Sequence, residues 1–186
     1  MTKTPVLLVV DAQQGFRDAD YWGLSANPDV YTNIELLVAE HRSMNWPVVI
    51  VKHNSQNPDS PLNRSGSGND LEPFLEGPRD LVIQKTVNSA FYGTPDLHYW
   101  LTKMNYRKLV ICGITTNFCC ETTARMAGNL GYEVEFIIDA TTAFDKVGPT
   151  GERISGQDLM KATATNLHGE FGNVLTTKDY LAKLTK

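Results

Sequence analysis

The run Val6-Leu7-Leu8-Val9-Val10 contains no polar position and stops at Asp11. A strand with one wet face alternates apolar and polar residues. A strand buried on both faces does not, and that is the habit of parallel sheets. Similar runs recur at Val48-Val49-Ile50-Val51, Leu109-Val110-Ile111-Cys112 and Phe136-Ile137-Ile138, with a shorter one at Leu81-Val82-Ile83. Helical segments separate them. Ile34, Leu37, Val38, His41 and Met44 recur at helical spacing. Thr94 and Pro95 read as the cap and first residue of a helix to about 104, and a helix from about Asn117 to Leu130 stops at Gly131. A helix over 156–168, a strand at Asn173-Val174-Leu175 and a Thr177-capped helix close the chain, while 54–70 and 141–154 read as polar loops. Alternation of this kind requires right-handed crossovers and helices on both faces of the sheet. The expectation is one α/β domain over residues 1–186, a three-layer α/β/α, Rossmann-like fold with a six-stranded parallel sheet.

Composition removes several function classes. The net charge is −4 and the basic residues are scattered, so no nucleic acid or anionic membrane surface is implied as a partner. No apolar run approaches the roughly 20 residues that span a bilayer. The start, Met1-Thr2-Lys3-Thr4-Pro5, lacks a signal-peptide apolar core and reads as leading straight into a strand. Three cysteines, two of them adjacent, form no disulfide framework. A reducing cytoplasm is the simplest setting. No G-x-G-x-x-G follows the first strand, which argues against a dinucleotide-binding oxidoreductase.

In open parallel sheets the site lies outside the carboxyl ends of the strands. Asp11, His53, Lys85 and the segment after Cys112 all fall there. Cys119 reads as the first turn of a helix, where free N–H groups and the helix dipole favour a thiolate. Asp11 can take and return a proton, Lys85 can orient it, and N–H groups of the 115–119 turn can hold an oxyanion. Removing a charge from such a crowded rim is expected to leave stability unchanged or higher. Each residue alone has a plainer reading: a strand-end Asp caps a turn, a lone Lys is solvated, a lone Cys packs. Packing is the reading kept for Cys112 and Cys120, and a structural or surface role for His41, His98 and His168. No histidines stand at metal-ligand spacing, so no metal and no cofactor is expected.

Three motifs in order give the chain a resemblance to the isochorismatase-like cysteine hydrolases, a superfamily that includes nicotinamidases, N-carbamoylsarcosine and ureidoacrylate amidohydrolases and streptothricin hydrolases. They are Asp11-Ala12-Gln13-Gln14-Gly15-Phe16, Gln84-Lys85-Thr86-Val87-Asn88-Ser89-Ala90-Phe91 and Gly113-Ile114-Thr115-Thr116-Asn117-Phe118-Cys119. The resemblance implies Asp11 as general acid/base, Lys85 as supporting cation and Cys119 as nucleophile. It implies an oxyanion hole from the Thr115 and Cys119 N–H groups and a cis Ile114–Thr115 peptide. It also implies a homodimer or homotetramer acting on a small-molecule amide. The Asp-x-His pair and later His of nicotinamidases are missing around Val51-Lys52-His53-Asn54-Ser55, which argues against their metal site. The segments 57–62, 87–91 and 123–131 look closest to streptothricin-hydrolase-like members. Phe16, Trp22, His53, Asn88, Phe91, Tyr92 and Phe118, by nearness to the motifs, are expected pocket walls. Two other readings stand beside the amidase: a vinyl-ether hydrolase of the isochorismatase type, and a non-catalytic thiol redox or binding protein using Cys119-Cys120.

Overall fold

The structure, a computed structural model, describes residues 4–184; residues 1–3, read above as the lead into the first strand, lie outside the described residues. Six parallel strands form the sheet: β1 (Val6–Val10), β2 (Val48–His53), β3 (Leu81–Lys85), β4 (Lys108–Ile114), β5 (Glu133–Thr142) and β8 (Asn173–Leu175), in the order β3-β2-β1-β4-β5-β8. The chain forms a single α/β domain with helices on both faces. The strand order reverses beside β1, so the carboxyl ends of β1 and β4 open a crevice at the switch point.

The continuous apolar runs have a direct cause. Alternate residues of each strand feed two separate cores. Leu8, Val10, Val49, Val51, Leu109 and Ile111 pack under α3 (Leu97–Lys103), α4 (Glu121–Asn129) and α5 (Gly156–Leu167). Leu7, Val9, Val48, Ile50, Val110 and Cys112 pack under α2 (Val30–Ser43) and α6 (Thr177–Leu184). Every β1 side chain is fully buried. At about 25 cal/mol per Å² of apolar area, such residues supply most of the drive to fold.

Three local expectations are corrected. Thr94 does not cap α3: its N–H and carbonyl are both paired with Gln84, Pro95 follows in a cis bond, and Asp96 caps instead by accepting from Tyr99 N–H at 2.8 Å. The last helix is capped from Thr176, whose hydroxyl accepts from the Asp179 N–H at 3.1 Å. The 141–154 segment is not all loop. β5 runs on to Thr142, and a small hairpin follows, pairing β6 (Lys146–Val147) with β7 (Arg153–Ile154). Two-residue strands carry no readable alternation.

Candidate active site

Asp11 is the first residue past β1. Its N–H donates to the Val51 carbonyl at 2.9 Å and its carbonyl accepts from Gln13 N–H at 2.8 Å. These bonds hold it at φ +52°, a left-handed conformation that costs a non-glycine residue about 1–3 kcal/mol and that clusters at functional sites. Lys85 ends β3, two strands away. Its side chain reaches across the end of β2 and donates to Asp11 Oδ2 at 2.5 Å, with both side chains wholly buried. Oδ1 of Asp11 is buried with no hydrogen-bond partner.

Cys119 stands in a wide π-helical turn, Thr116–Cys120, that joins β4 to α4. The Phe118 and Cys120 N–H groups both donate to the Thr115 carbonyl, and Thr116 is tied to β5 through Thr141 Oγ1 at 2.7 Å. The Ile114–Thr115 peptide before this turn is cis. The thiol is 8% exposed and donates to Asn88 Oδ1 at 3.8 Å. A carboxylate oxygen of Asp11, a ring nitrogen of His53 and Cys119 Sγ lie within 4.8 Å of one another. The three strand-end residues of the sequence thus meet at one point.

The electrostatics differ from the sequence expectation of a helix-stabilised thiolate. Burial pushes the Cys119 thiol well above its ordinary value. The Asp11 charge pushes the same way, and Lys85 opposes both without prevailing. The resting group is a thiol beside a carboxylate. Burial alone would lower Lys85, but the Asp11 charge and its hydrogen bond outweigh it and hold the ammonium above its ordinary value. His53 is lowered by burial and by Lys85, with Asp11 opposing, and is neutral at pH 7.

Asp11, His53 and Cys119 are spaced as metal ligands often are, but Asp11 Oδ2 and His53 Nδ1 are already engaged. Lys85 Nζ is bonded to Asp11 Oδ2 and lies 3.2 Å from His53 Nδ1. A cation ligated at about 2 Å by these atoms would sit against an ammonium, and the thiol resists the deprotonation that ligation requires. The set does not fit a metal.

Above the thiol is a cavity of about 120 Å³. Phe16, Trp22, His53, Asn88 and Phe118 line it, together with Thr115 and Leu62. Phe16, Trp22 and Phe144 stack behind one wall, with centroids 4.8–6.2 Å apart. Phe118 is partly exposed at the mouth, with Lys146 of β6 over its ring at 5.6 Å. Two expected walls are elsewhere. Phe91 is buried and stacked on Tyr132 in the core, and Tyr92 faces a separate polar cleft beside Arg64 and Gln84. In a short turn neighbouring side chains diverge, so nearness in sequence placed both wrongly. Leu62 was missed; its signal is one large apolar residue inside a polar loop. Gln13 was quoted only as part of a motif. It is wholly buried and grips the His53 backbone, accepting from its N–H at 2.8 Å and donating to its carbonyl at 3.0 Å. The plainer readings hold for other residues. Cys112 and Cys120 are fully buried, His41 bonds the Tyr180 hydroxyl, His98 that of Tyr132, and His168 Nδ1 accepts from Val174 N–H.

Residues 5–179 match the isochorismatase domain. The chain belongs to the isochorismatase family. An uncharacterised isochorismatase family protein of Bacillus subtilis, YrdC, is 32% identical over all of this chain and 99% of its own. Nicotinamidase 3 of Arabidopsis thaliana is 29% identical over 89% of this chain and 81% of its own. A crystal structure of an isochorismatase-family protein from Chromobacterium violaceum superposes with a TM-score of 0.92 at 34% identity, covering 99% of this chain and 95% of that one. Its single domain takes the architecture of these neighbours. Among the described residues no helix is long and apolar enough to cross a membrane.

Proposed function

We propose that this isochorismatase-family hydrolase cleaves the C–N bond of a small carboxamide through a thioester on Cys119. The observation that carries the reading is the buried Asp11–Lys85 pair set against a thiol at the floor of a small, carbon-lined cavity. Asp11 takes the thiol proton as Sγ attacks the carbonyl carbon, which spares the site a free thiolate that burial disfavours. The turn spends the Phe118 and Cys120 N–H groups on Thr115, and the oxyanion falls to the amides of Thr115 and Cys119. The C–N bond then breaks and the departing nitrogen takes the proton from Asp11. Water, deprotonated by Asp11, attacks the thioester carbonyl; the acid leaves and the thiol is restored. Lys85 keeps Asp11 oriented throughout and favours its charged form before each proton is taken.

The cavity also bounds the substrate. Lys85 is neutralised by Asp11, so no free cation awaits a carboxylate in the acyl portion. Phe16, Trp22, Leu62 and Phe118 suit a small uncharged acyl group. A nicotinamidase among the relatives supports an amide over a vinyl ether, and the wholly buried Cys120 offers no second accessible thiol for a redox pair. Three unpaired cysteines suit a reducing cytoplasm, and the reading includes a homodimer or homotetramer, which light scattering checks. The deciding experiment is a library of neutral and anionic amides read out by ammonia or amine release, with isochorismate assayed beside it. Release from small neutral amides supports the proposal. Cleavage of isochorismate alone, or thiol oxidation with no released amine, sinks it.

A further inference from the structure

We propose that His53 is a positioning residue that holds the Lys85 ammonium in place on Asp11, at the wall of the cavity above the Cys119 thiol. Two observations carry this. The first is register: His53 and Lys85 are direct neighbours at the ends of paired strands β2 and β3, and Lys85 Nζ lies 3.2 Å from His53 Nδ1. An ammonium can only donate, so Nδ1 is the acceptor and the ring proton is on Nε2. One imidazole therefore accepts a hydrogen bond from the cation that holds Asp11, and it does so beside Cys119 and Asn88 in the cavity lining.

The second observation is that the His53 backbone is itself fixed. Its N–H donates to Gln13 Oε1, and its carbonyl accepts from Gln13 Nε2 and from Asn69 Nδ2 at 3.0 Å each. These bonds fix the backbone from which the ring projects toward Lys85. The charged or titratable groups that face the ring are Lys85 from β3, Asp11 from the end of β1 and Cys119 from the turn after β4. A proton on Nδ1 would remove the acceptor for Lys85 and set two cations side by side, so the link opens in acid.

The test reads the thiol directly and needs no substrate. Full-length protein is alkylated with iodoacetamide; the Cys119 sulfur displaces iodide, its proton passes to Asp11, and the labelled peptide is followed by mass spectrometry. His53→Leu removes the ring acceptor for Lys85 and keeps an apolar wall. It should slow Cys119 labelling near neutral pH by roughly 10-fold or more, the scale that a small misplacement of reacting groups costs. His53→Gln keeps one acceptor and one donor without a titrating ring. It should recover most of that rate and lose the acid-side inflection, below the ordinary imidazole range, that the wild type shows. Equal rates in all three proteins, Gln as slow as Leu, or an unchanged acid inflection in the Gln variant would overturn the proposal. Should the Leu variant fail to fold on thermal melting, the pH profile of the Gln variant decides alone. The inference rests on Cys119 as the reacting thiol but not on amide turnover. A library with no hit would sink the amide reading and leave the labelling result standing.

Discussion

Asp11 and Lys85 form a charge pair with no access to water, and the desolvation cost of each is met chiefly by the other. The sequence expectation that removing one charge leaves stability unchanged or higher is corrected by this burial. Lys85→Met leaves a buried carboxylate alone and should cost about 3–5 kcal/mol in urea unfolding. The double variant Asp11→Asn with Lys85→Met should lose less than the sum of the singles. Either single variant should lower amide turnover by about 10²–10⁴-fold, since both act on one proton transfer. Wild-type turnover in either would remove Asp11 and Lys85 from the mechanism. Cys119→Ala should abolish turnover at little cost in stability, while Cys120→Ala, whose sulfur only packs, should keep turnover and lose about 1 kcal/mol. Turnover that follows Cys120 instead would reassign the nucleophile. Because Lys85 occupies the space among Asp11, His53 and Cys119, chelation should leave turnover intact. Loss in EDTA with return on one added metal would contradict that geometry.

At the scale of elements, β1 and β4 meet backbone to backbone just before the chain reaches Asp11 and the turn that carries Cys119. Val10 pairs with Gly113, and a Cβ on Gly113 would fall 1.9 Å from the Val10 carbonyl oxygen. Gly113 also holds φ +130°, which L side chains rarely adopt. Gly113→Ala should therefore cost about 4 kcal/mol and lower the melting temperature on the order of 10 °C. A melt within a few degrees of wild type would show that the strands can part without penalty. Gly113 was legible in the sequence as part of the motif around the end of β4, but its reason was not. The close approach is made by a strand about a hundred residues away, and local pattern does not report it.

Across the whole molecule, the amino ends of the strands hold a second buried polar pair, His41 and Tyr180, bonded at 2.7 Å beneath α2 and α6. Burial lowers His41 from 6.5 to about 4. The folded protein thus takes up its proton only well below the unfolded chain. Stability is fully present above about pH 6.5, falls as the pH drops toward 4 and is lost below it, by on the order of 3 kcal/mol. His41→Gln should flatten that slope in denaturant midpoints measured from pH 7 to 4, and an unchanged slope would assign the acid sensitivity to other groups.

The sequence by itself determined the layers, the strand order's parallel sense and the rim on which Asp11, Lys85 and the Cys119 turn gather. Unbroken apolar runs can be buried only on both faces, and crossovers then bring strand ends to one side. Tertiary structure alone decided what those residues experience. The protonation of Cys119 depends on how deeply it is buried against Asp11, and the role of His53 depends on Lys85 crossing the end of β2 to reach past it. The cavity walls were legible only where a side chain sits beside a motif in space as well as in sequence, as Phe118 does. Phe91, Tyr92 and Leu62 were settled by the paths of distant loops, and a path through space leaves no periodicity in the chain.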